Sequence, residues 1–119
     1  MGNALQFRKA TEDDCTELAL IRDIAGRRMP SYLWSQEVGQ GQSYFEYGRE
    51  TIRTDVNSNA YFKNWLVAES QFKFVGAFFG FSLDDPYPDI DLDAVPECFR
   101  PCVELERVAS GCWLLQAIA

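Results

Sequence analysis

The sequence predicts an α/β (α+β) fold, a largely antiparallel sheet of about four strands with two N-terminal helices in the order β-α-α-β-β-β. Three observations predict it. Two early stretches carry apolar residues at helical spacing, several stretches are apolar or alternating over strand lengths, and a short polar turn joins two of these into a hairpin.

Taken in order, Leu5, Phe7 and Lys9 alternate with Gln6 and Arg8, which reads as a first strand at a sheet edge. Thr11 offers an N-cap with Asp14 three residues on, and acidic side chains crowd the first turn, where the helix dipole favours them. Cys15, Leu18, Ile21 and Ala25 then give one apolar stripe to a helix over about residues 12–26, which Gly26 caps. Pro30 interrupts regular structure, so Arg27 to Trp34 reads as a loop or broken helix.

Tyr44, Phe45, Gly48, Ile52 and Val56 fall on one face of a second helix over about residues 43–56, and Asn57-Ser58-Asn59 ends it. Trp65-Leu66-Val67-Ala68 reads as a strand buried on both faces. Ser70-Gln71 turns the chain into a second arm, Phe72 to Leu83, where Gly76 and Gly80 mark a bulge or the close approach of another backbone. Residues 84–103 read as an acidic, proline-containing loop, and Cys112 to Ala119 as a fourth strand buried in the sheet.

Composition narrows the function. At 119 residues and 47% hydrophobic, the chain fits one folded domain. A net charge of −7 is the wrong sign for neutralising phosphates, so nucleic acid and anionic membranes are excluded as partners. There is no histidine, and Cys15, Cys98, Cys102 and Cys112 form no C-x-x-C pair, which argues for no metal and for reduced, structural thiols. Asp89, Asp91 and Asp93 alternate like a calcium loop, but Ala94 stands where glycine is required. No apolar run reaches the ~20 residues of a membrane helix, and a cytoplasmic location is expected.

Three motifs carry a resemblance. Phe7-Arg8-Lys9-Ala10-Thr11 leads to Asp14 and a helix; Trp65-Leu66-Val67-Ala68-Glu69 precedes a turn and Val75-Gly76-Ala77; and Val95-Pro96-Glu97, Arg100-Pro101 and Glu104-Leu105-Glu106 run into Trp113 to Ala119. In this order they resemble the GNAT N-acetyltransferase superfamily. The resemblance covers nearly the whole chain, as a single partial domain over residues 1–119 that stops before the family's Q/R-x-x-G-x-G/A loop for the acetyl-CoA pyrophosphate.

The resemblance implies an acetyl-CoA-dependent transfer of an acetyl group to a small-molecule or peptide amine, with the incomplete domain inactive alone. It places the thioester against backbone N–H groups of Ile118 and Ala119, and an acceptor cleft along Met29, Tyr32, Leu33 and Trp34, residues that ordinary packing explains as well. The family's fourth-strand glutamate has no counterpart at Leu114 to Gln116. Glu104 and Glu106, on one side of the chain if extended, are candidates for the amine site or else solvated surface charge. The alternative is a non-catalytic remnant or self-associating small binding module, a homodimer joined through the exposed sheet.

Overall fold

A computed structural model describes residues 4–119. The chain divides into two compact units, one running up to Gly80 and including Leu115–Ala119, the other Phe81–Leu114. Four strands form one antiparallel sheet in the order β1-β2-β3-β4, with β1 at Gln6–Lys9, β2 at Trp65–Ser70, β3 at Lys73–Ser82 and β4 at Trp113–Ile118. The α/β class, the antiparallel sheet and the edge position of β1 are as the sequence predicts.

In the larger unit, the acidic turn Glu12–Asp14 is a single 3-10 turn that leads into helix α1, Cys15–Ala25. Thr11 donates its backbone N–H to the Asp14 carboxylate at 2.7 Å. This satisfies a donor that a helix start leaves unpaired. Ser43 caps helix α3, Tyr44–Thr54, by accepting from the Glu46 N–H.

Between them, where the sequence reads a loop or broken helix, the helix resumes after a break at residues 26–28 as α2, over Met29–Glu37. Pro30 lies in its first turn, where a missing N–H leaves no bond unmade. Gly26 is the C-cap of α1 as expected, its N–H donated to the Arg22 carbonyl, but it does not make the left-handed turn out of the helix. Arg27 and Arg28 do so, at φ 52° and 70°. Gly26 is needed for space, since a Cβ there would lie 2.5 Å from the Pro30 Cδ.

The core follows from strand alternation. Trp65 and Val67 on β2 lie opposite Phe79 and Ala77 on β3, so all four share one face, and all are buried with Cys15, Leu18, Ala19 and Ile52 from α1 and α3. Trp65 and Phe79 rings meet at 4.6 Å, and the indole N–H donates to the Ala60 carbonyl at 2.8 Å, which satisfies its one polar atom. The opposite face is open: Phe7 touches Phe78 edge-on yet stays exposed, and Leu66 and Ala68 are half-buried. Strand β2 is therefore fully buried on one face alone.

The β2–β3 hairpin turns through Gln71 and Phe72, both at positive φ (53° and 64°), the geometry of a two-residue type I′ turn. At the other edge Ala77 and Ala119 exchange both N–H···O bonds, at 2.9 and 3.2 Å. Gly76 permits this approach, because a Cβ there would lie 2.7 Å from the Ala119 oxygen. The last strand is present, but it is an edge strand with Trp113, Leu115 and Ile118 exposed, not one buried within the sheet.

In the smaller unit, residues 84–103 are not loop throughout. Leu92–Ala94 and Glu97–Phe99 are 3-10 turns, and helix α4 starts at Arg100 and runs to Val108. Pro101, like Pro30, sits in a first turn and so begins a helix where the sequence reads a break.

Candidate functional site

On β4 the residues that exchange hydrogen bonds with β3 alternate with residues whose N–H and C=O point away from it. Ala119 is of the first kind: its N–H is donated to the Ala77 oxygen. It is therefore spent within the sheet. Ile118, one residue back, directs its N–H to the outer edge, beyond which no further strand lies among the described residues. Of the two backbone donors expected from the sequence, Ile118 keeps a free one.

The expected acceptor wall lies on α2. Tyr32 is exposed, and Met29 and Leu33 are half-buried. Trp34 is committed to packing: its ring meets Phe45 edge-on at 6.2 Å and lies directly over Gly48 of α3.

Glu104 and Glu106 lie on α4, not on extended chain, so two residues apart they point to different sides of a helix rather than to one. Glu104 takes a 3.3 Å ion pair from Arg107 and faces solvent. Glu106 accepts a 2.7 Å hydrogen bond from the Tyr87 hydroxyl. Burial pushes the Tyr87 phenol up to about 12, and its hydrogen bond to Glu106 adds to the rise. Tyr87 was not legible as a partner because it lies 19 residues from Glu106, in what reads as a solvated loop.

Two arginines behave differently. Arg8 donates to both Asp14 oxygens, at 2.7 and 2.8 Å, and to Glu69 at 3.1 Å, tying β1 to the start of α1 and to β2. Hydrogen bonding from Arg8 holds the Asp14 carboxyl below the usual range. Arg22 has no such partner among the described residues. Its guanidinium carbon stands over the Phe79 ring, 5.1 Å from the centroid, and desolvation alone lowers its pKa.

Of the cysteines, all free, only Cys15 is buried, and desolvation raises its thiol to about 11. Cys98, Cys102 and Cys112 are exposed, so they do not serve as core residues. Among the described residues no group of three or more metal-ligating side chains converges, and no helix is long and apolar enough to cross a membrane. An open depression of about 280 Å³ lies between Ala4, Gln6, Gln71 and Phe72, none of them titratable.

Compared with protein-family models, with curated proteins and with solved structures, the chain matches none.

Proposed function

We propose that the chain is the acceptor-side part of a GNAT-type N-acetyltransferase domain that works in the cytoplasm, transferring acetyl from acetyl-CoA to an amine. The observation that carries this reading is the free outer edge of β4 at Ile118, on a strand whose inner edge is fixed by Ala77. An N–H aimed outward from a rigid strand is suited to polarise a thioester carbonyl, and the adjoining edge to pair with the amide-bearing pantetheine arm.

The test is a thermal-shift titration with acetyl-CoA. A ligand that binds only the folded state raises the midpoint, by ~1.4 kcal/mol of stabilisation at tenfold excess over its dissociation constant. Ile118→Pro, which deletes the outward N–H, should abolish the shift while leaving the Ala77–Ala119 pair. No shift in the wild-type protein at millimolar acetyl-CoA would end this reading.

A second reading has its own support. The segment from Trp113 to Ala119 holds no charge and no proline, the usual guards of an open strand edge. A self-associating binding module would pair two copies of β4 edge to edge.

A further inference from the structure

We propose that two copies of this chain join β4 to β4 in one antiparallel register, centred on Gln116, which sets the exposed Trp113 and Leu115 of each copy against Ala119 and Ala117 of the other. This rests on the edge-pairing reading above and adds to it which residues meet. Ala119 exchanges its hydrogen bonds with Ala77, so every second residue back from Ile118, namely Ile118, Gln116 and Leu114, points its N–H and C=O outward. Only these three can bond a further strand. The register must therefore set them opposite one another.

Side chains choose among the registers that remain. A two-fold contact needs a surface complementary to itself, whereas an edge that takes a foreign strand does not. The face with Leu114, Gln116 and Ile118 has the same pattern from either end, one amide between two aliphatic side chains. Turned about Gln116, Leu114 meets Ile118, and the two Gln116 amides meet each other, each able to donate and to accept. The other face carries two large side chains, Trp113 and Leu115, and then two methyls, Ala117 and Ala119. The same turn sets large against small, Leu115 opposite Ala117 and Trp113 opposite Ala119. Trp113 and Leu115 are 57% and 45% exposed in the single chain, so each has apolar surface left to cover. A slip of two residues in either direction sets Gln116 against an aliphatic side chain and leaves Ile118 or Leu114 outside the paired stretch. In the centred register the Ile118 N–H is donated to the Leu114 carbonyl of the second copy, so pairing closes the outward donor of β4.

Strand β4 contributes six residues a side, against the roughly 20–30 of a standard interface, so the dimer is weak and forms at high concentration. Sedimentation equilibrium at millimolar protein is therefore run on the wild-type chain, on Leu115→Lys, on Gln116→Lys and Gln116→Glu, and on an equimolar mixture of the last two. The wild type should dimerise, and Leu115→Lys should not. Gln116→Lys and Gln116→Glu each set like charges opposite one another and should dimerise about tenfold more weakly, while their mixture, with opposite charges facing, should return to about the wild-type affinity. A wild type that stays monomeric, or a dimer that withstands Leu115→Lys, sinks edge pairing itself. If Leu115→Lys breaks the dimer but the mixture associates no better than its components, edge pairing stands and this register is wrong. Amide hydrogen exchange of the wild-type chain covers the case in which the charged variants do not fold: Leu114, Gln116 and Ile118 should slow together as the dimer forms. Leu114 or Ile118 left in fast exchange would overturn the register.

Discussion

Asp14 receives both forward-facing donors of Arg8, at 2.7 and 2.8 Å, while buried beneath the start of α1. The same carboxylate accepts the Thr11 N–H, so one side chain joins a strand, a helix start and an arginine. Its folded pKa lies below the ordinary value. The stabilisation is therefore complete above the unfolded aspartate pKa of ~4 and is lost as pH falls through the lower folded value. Asp14→Asn should lower stability near neutrality by roughly 2 kcal/mol. It should also flatten the acid limb of a urea-midpoint profile, whereas an unchanged acid limb would show that other carboxylates govern it.

Gly48 lies directly under the Trp34 ring, close enough that any Cβ would overlap it. In a helix interior alanine ordinarily gains about 1 kcal/mol over glycine. Here the rigid indole cannot yield without opening the α2–α3 contact. Gly48→Ala should therefore destabilise, by roughly 2 kcal/mol, whereas Gly39→Ala, with nothing within 4 Å, should change little. Thermal denaturation of both variants makes the comparison.

Tyr87 and Glu106 offer a titration. Burial and the bond to Glu106 hold the phenol up to about 12, so this contribution to stability is present below the ordinary tyrosine pKa of ~10 and is lost as pH rises through the folded value. Glu106→Gln removes the charge but leaves an acceptor. The Tyr87 phenolate, identified by difference from Tyr87→Phe, should then form at lower pH. An unmoved titration would mean that burial alone sets the value, and that Glu106 is not held as described.

Which features could be read from the chain depended on how local their causes are. The start of α1 was legible because Thr11 and Asp14 lie within one turn, and the hairpin because its arms are adjacent. Helix α4 was not, and α2 only as a loop or broken helix, because Pro30 and Pro101 break a helix or begin one according to position alone. Pairing Glu104 with Glu106 on one side rested on an extended chain, and once that chain coils the two part. Arg22 was hidden because an arginine counts as polar face unless the aromatic partner beneath it, Phe79, is known. The spending of the Ala119 N–H was likewise invisible, since it depends on strand register across 42 residues of chain.

The two functional readings use the same atoms, and this makes them separable. Acetyl-CoA would pair its pantetheine arm with the outer edge of β4 at Ile118, and a second copy of the chain would occupy the same edge. Leu115 is exposed on this strand, and a lysine there places a charge that an edge-to-edge pair would have to desolvate. Leu115→Lys should make the protein monomeric by sedimentation equilibrium if β4 pairs two copies. In the wild-type protein acetyl-CoA should then shift the equilibrium toward monomer, because one hydrogen-bonding edge cannot serve two partners. A dimer that withstands both Leu115→Lys and saturating acetyl-CoA is joined elsewhere, and the open face around Phe7 and Phe78 becomes the surface to mutate.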